Sequence, residues 1–131
     1  MPLPEWCIDC NYANAYHNRG NAKSKLGHLK EAIQDYTKAI EIDPKVKNAH
    51  HGRATAKDYL GDKEGALLDY TKAIENNSKD ANSFYDRGLT KISLGDRSGA
   101  YLDWSRAAEL GHVIAINSLK TFDLKYHANW N

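Results

Sequence analysis

At 131 residues the chain has the length of one domain, and a formal charge of +1 from 18 basic and 17 acidic residues builds no large single-sign field. That argues against nucleic acid or an anionic membrane as partner. No apolar run approaches the roughly 18 residues of a membrane span, the start Met1-Pro2-Leu3-Pro4-Glu5-Trp6 lacks the features of an export signal, and two cysteines are too few for a disulfide scaffold, so a cytoplasmic protein is expected.

Taken in chain order, residues 1–12 contain Cys7-x-x-Cys10, the spacing of a shared zinc or a redox disulfide. A structural zinc needs four ligands and no second pair follows, so no metal or cofactor is expected. Displaced by 34 residues, Ile8-Asp9-Cys10-Asn11-Tyr12 falls on Ile42-Asp43-Pro44-Lys45-Val46. Residues 1–12 therefore read as a lead-in or as the last turn of an earlier repeat, the chain then being a fragment.

From residue 13 one unit is written three times without a gap, over 13–46, 47–80 and 81–114, and 17 of its 34 positions are identical between the first two copies. Leu26-Gly27, Leu60-Gly61 and Leu94-Gly95 recur at one phase, followed by Ala32, Ala66 and Ala100, by Tyr36, Tyr70 and Trp104, and by Ala39, Ala73 and Ala107. Apolar residues of helical period on both sides of each Leu-Gly make every unit a helix–turn–helix, with spans of about 13–26, 29–42, 47–60, 63–76, 81–94 and 97–110. Glycine ends each first helix in a left-handed cap, and Asp62 and Asp96 stand where an N-cap is wanted. Asp43-Pro44 stops the second helix, whereas Asn76-Asn77-Ser78 and Leu110-Gly111-His112 are weaker stops.

Small residues in register, Gly20, Ala54 and Gly88 on the first helices and Ala32, Ala66 and Ala100 on the second, mark close helix approach; Tyr36, Tyr70 and Trp104 fill the space between successive pairs. Val113, Ile116, Leu119 and Phe122 give residues 112–127 the pattern of a capping helix, after which Trp130 in the tail 128–131 is either free or a hook. The fold class is all-α, a solenoid of antiparallel helix pairs.

This pattern resembles the tetratricopeptide repeat family, whose 34-residue helix pair carries a small residue at position 8, Ala at 20, an aromatic at 24, Ala at 27 and Pro at 32; Gly20, Ala32, Tyr36, Ala39 and Pro44 match all five. Ala54, Ser78 and His112 depart from it. The resemblance implies a right-handed superhelix whose concave face, lined by the first helix of each pair, grips another protein. It places on that wall Asn14, His17, Asn18 and Asn21, then Asn48, His51, Thr55 and Tyr59, then Asn82, Tyr85, Asp86 and Leu89, with Ser24, Lys25, Gly52, Asp58, Ile92 and Ser93 among them. Asn14, Asn48 and Asn82 read either as a ladder for an extended peptide backbone or as helix caps. Family members that clamp the acidic tails of chaperones use Lys, Asn, Asn, Lys and Arg where this chain has His17, Asn21, Gly52, Asn82 and Asp86; only Asn21 agrees, and Asp86 would repel a carboxylate.

Arg19, Arg53 and Arg87 recur on the first helices and Asp35, Asp69 and Asp103 on the second, which predicts a repeated bridge between packed helices. His17 and His51 lie on successive helices, about 8–10 Å apart when packed, too far to share one zinc. Without a nucleophile elbow or a phosphate loop, catalysis is not expected. The expected role is a noncatalytic scaffold that binds a peptide or helix of a partner. Its rivals are a self-assembly module, forming a weak homodimer through the N-terminal end or Trp130, and a metal- or thiol-dependent protein using Cys7 and Cys10.

Overall fold

The computed structural model describes residues 10–126; the readings of Cys7 and of Trp130 fall outside them. All regular structure among the described residues is helical: α1 (Cys10–Lys25), α2 (Leu29–Ile42), α3 (Ala49–Tyr59), α4 (Lys63–Asn76), α5 (Ala81–Ser93), α6 (Arg97–Glu109) and α7 (Val113–Tyr126). Two starts differ from expectation. Helix α1 already includes Cys10, Asn11 and Tyr12, the first of the described residues, ahead of the expected start at residue 13. Helix α3 begins only at Ala49, because Asn48 takes a left-handed φ of 67° that asparagine tolerates and a helix does not.

The helices form two compact units, one ending at Asn76 and the other beginning at Asn77. In the first, α1 packs on α2, α2 on α3 and α3 on α4, and α1 also meets α3; in the second, α5 packs on α6 and α6 on α7.

The turns within helix pairs are built alike. Gly27, Gly61 and Gly95 have φ of 82°, 90° and 84°, and the amide after each glycine bonds back to a lysine carbonyl, His28 to Lys23, Asp62 to Lys57 and Asp96 to Lys91, at 2.9, 2.9 and 2.8 Å. This is the 6→1 bond of a glycine C-cap. Gly111 repeats it, with φ 90° and His112 N to Ala107 O at 3.0 Å, so Leu110-Gly111-His112 is as firm a stop as the others. The N-caps fall where expected: Asp62 accepts from Gly65 N and Asp96 from Gly99 N, both at 2.9 Å. Asp80 caps α5 in the same way, accepting from Ser83 N at 3.1 Å.

The small residues set how closely helices meet. Ala32, Ala54, Ala66 and Ala100 are fully buried. A methyl group on Gly20 would lie 2.9 Å from Tyr36 Cε1 and one on Gly52 would lie 2.7 Å from Tyr36 Cζ, so the ring is held between its own pair and the next. Gly52, expected on the binding wall, is a packing residue. Gly88 gives Trp104 the same clearance, with 2.5 Å from its would-be Cβ to Nε1.

Candidate functional site

Each helix pair is tied by the predicted bridge. Arg19 Nε and Nη2 donate to Asp35 at 2.8 and 2.7 Å, Arg53 to Asp69 at 2.8 and 2.8 Å, and Arg87 to Asp103 at 2.9 and 2.7 Å. All three carboxylates are buried. A second cation reaches each of them one turn further on, Lys23 at 3.1 Å, Lys57 at 3.0 Å and Lys91 at 3.0 Å. These lysines went unread in the sequence, although they too recur every 34 residues. Arg53 also donates to Thr37 Oγ1 on α2 at 3.2 Å, which helps leave its side chain 18% exposed against 58% for Arg19.

The bridges differ in surroundings. Arg19 lies over Tyr16 and Arg87 over Phe84, at 5.4 and 5.6 Å, whereas the same repeat position in the middle pair is His50, buried with Nδ1 3.6 Å from Asp69 Oδ1. Burial alone would raise the Asp69 pKa, but His50, Arg53 and Lys57 together hold it well below the usual carboxylate range. Asp35 is lowered chiefly by its hydrogen bond from Arg19.

A second recurring device faces the expected binding wall. The buried rings at repeat position 24 send their polar atoms back to the first helix: Tyr36 Oη donates to Asn21 Oδ1 at 2.5 Å, Tyr70 Oη pairs with Thr55 Oγ1 at 3.1 Å, and Trp104 Nε1 donates to the Tyr85 carbonyl at 3.1 Å. The rings at position 5 pack against them, His17 on Tyr36 at 5.8 Å, His51 on Tyr70 at 5.6 Å and Tyr85 on Trp104 at 6.0 Å. Burial lowers the His17 pKa and raises that of the Tyr36 phenol. His17 and His51 thus each serve their own tyrosine.

Of the residues expected on the wall, Asn14, Asn18, Asn48, Tyr59, Asn82 and Leu89 are exposed, and His17, Asn21, His51, Thr55, Tyr85 and Asp86 are half-buried. The structure joins His17 and Asn21 to Tyr36, His51 and Thr55 to Tyr70, and Asn82 and Tyr85 to His112. Asn14, Tyr59 and Leu89 take part in none of these contacts among the described residues. None of the three asparagines is a side-chain cap: Asn14 is inside α1, Asn48 makes no capping bond, and Asp80, not Asn82, caps α5. In the second unit a cavity of about 310 Å³ opens between α5, α6 and α7, with apolar walls from Ile92, Trp104, Ile114 and Phe122 and with Ser118 and Lys125 among its other lining residues.

Helix pairs stacked on buried aromatics, with polar side chains braced on the first helices, define a helical-repeat scaffold. Residues 13–46 match the profile of the tetratricopeptide repeat. No match was found among curated protein sequences. The solved first TPR of Spaghetti (RPAP3), bound to the HSP90 peptide SRMEEVD, is 28% identical over 90% of this chain and 95% of that one, with a TM-score of 0.84. The second TPR of Spaghetti, bound to the same peptide, is 28% identical over 82% and 99%, with a TM-score of 0.78. The Arabidopsis OM64 TPR domain, 24% identical over 86% and 98%, shares the fold with a TM-score of 0.80. The seven helices of the described residues fit three tetratricopeptide repeats and a capping helix, the fold of these solved TPR domains. Domains of this family are noncatalytic interaction scaffolds.

No helix among the described residues is long and apolar enough to cross a membrane, and no three of their His, Cys, Asp or Glu side chains are grouped to hold a metal ion.

Proposed function

We propose that the chain binds another protein, taking a peptide or helix of it against the first-helix side chains and performing no chemistry on it. One observation carries the reading: in every repeat a buried aromatic braces a first-helix side chain, by a hydrogen bond to Asn21 or Thr55 and by ring stacking on Tyr85. Side chains fixed before the partner arrives lose little entropy on binding. The cavity beside Ile92 and Ile114 offers a seat for one apolar side chain of the partner.

The Spaghetti domains hold the acidic peptide SRMEEVD. Where acidic-tail binders carry cations, this chain has His17, Asn82 and Asp86, so the ligand class proposed is an uncharged polar segment with one apolar anchor.

Selection from a phage-displayed decapeptide library, followed by calorimetric titration, tests this. A selected peptide is expected to bind with micromolar affinity, about −8 kcal/mol, and to lose about tenfold with Asn48→Gly, which keeps the left-handed backbone, or Tyr85→Ala. SRMEEVD is expected to bind far more weakly. Enrichment of no peptide, or full affinity in both variants, would contradict the proposal.

A further inference from the structure

Where the first repeat has Pro44, the third has His112, and its ring makes three contacts. Nδ1 lies 3.1 Å from Ala115 N, capping α7; Nε2 lies 3.0 Å from Asn82 Oδ1; and the ring stacks on Tyr85 with centroids 4.7 Å apart and planes at 20°. A backbone N–H can only donate, so Nδ1 must carry a lone pair, and the proton of the neutral imidazole sits on Nε2. That N–H needs an acceptor. Asn82 can supply one only through its carbonyl oxygen, which turns its NH2 group away from the histidine into solvent.

We infer that His112 is a positioning residue that locks Asn82 as an outward-facing donor, so that this part of the binding face selects a hydrogen-bond acceptor, the backbone carbonyl of an extended partner segment. The inference rests on the peptide-binding reading above. It gives the position-32 departure a role: a proline there could neither cap α7 through its side chain nor orient Asn82. Asp86, one turn along α5 from Asn82, disfavours a carboxylate as the accepted group, leaving a neutral carbonyl.

Two measurements on the full chain test it. In nitrogen-15 spectra of the histidine rings, His112 Nδ1 is expected at the shift of a bare nitrogen and Nε2 at that of a protonated one; the reverse assignment would overturn the lock. The second uses a decapeptide selected against the wild-type chain. Asn82→Asp keeps an acceptor for His112 but replaces the outward donors by an acceptor, so affinity should fall about tenfold or more while the melting temperature does not fall. His112→Asn can still cap α7 but is too short to reach Asn82, and a loss of about threefold is expected. Wild-type affinity in Asn82→Asp would overturn the inference and leave the peptide-binding reading standing; failure of the wild-type chain to bind any selected peptide would sink both.

Discussion

The Tyr36 phenol donates to Asn21 Oδ1 across 2.5 Å, so a buried side chain of α2 fixes a polar side chain of α1. Removing the hydroxyl in Tyr36→Phe leaves the packing against Gly20 and Gly52 and loses the bond. A cost of about 1 kcal/mol is expected. Urea unfolding should show a lower midpoint at unchanged slope, since the folded surface is preserved.

Gly52→Ala tests the clearance around the same ring. Alanine is the better helix former by about 1 kcal/mol, yet its methyl would lie 2.7 Å from Tyr36 Cζ, and overpacking costs typically about 1–3 kcal/mol. Packing should win, so thermal unfolding is expected at a lower temperature than wild type. A rise in melting temperature would show that the ring yields.

These relationships divide what could be read from the sequence from what could not. The repeat was legible because identity at a 34-residue interval reports equivalent environments, and Arg19, Arg53 and Arg87 with their aspartates carried the bridge in the same way. Lys23, Lys57 and Lys91 show the same interval, but a lysine on a helix is ordinarily solvated, and only their approach to buried carboxylates reveals the role. Asn14, Asn48 and Asn82 share a phase yet occupy a helix interior, a left-handed turn and a first turn, because local backbone conformation, not phase, decides what an amide can reach. His112 was visible as a departure from pattern. Its new partners, 30 residues back at Asn82 and three ahead at Ala115, are set by packing.

The pH dependence follows from the bridges. Asp69 and Asp35 have folded pKa values below their unfolded ones, so the stability they contribute is present above the unfolded value and is lost as pH falls below it toward the folded values. The contribution of these two carboxylates should therefore be level near neutrality and decline progressively below about pH 4, the ordinary aspartate range. Asp69→Asn should be less stable at neutral pH and show a shallower decline in acid, measured as melting temperature against pH. An unchanged slope would contradict the assignment.

The two bridge arginines of the first unit should not be equivalent. Arg53 is 18% exposed and shares Thr37, whereas Arg19 is 58% exposed. Arg53→Ala leaves a buried carboxylate short of its main partner and should cost about 3 kcal/mol, while Arg19→Ala should cost less, because water reaches its side of the bridge. Chemical denaturation of the two variants side by side gives the order, and equal losses would argue that the Thr37 contact and the deeper burial of Arg53 contribute nothing.

The binding face itself is tested most directly by a proton–nitrogen correlation spectrum recorded while a phage-selected decapeptide is titrated into the full chain. Shift changes are expected at the Asn21 and Asn82 side-chain amides and at the backbone amides of His51, Thr55 and Tyr85, with α2, α4 and α6 little affected. Changes concentrated instead on the outer leucines of the second helices, Leu68 and Leu102, would contradict a first-helix binding surface.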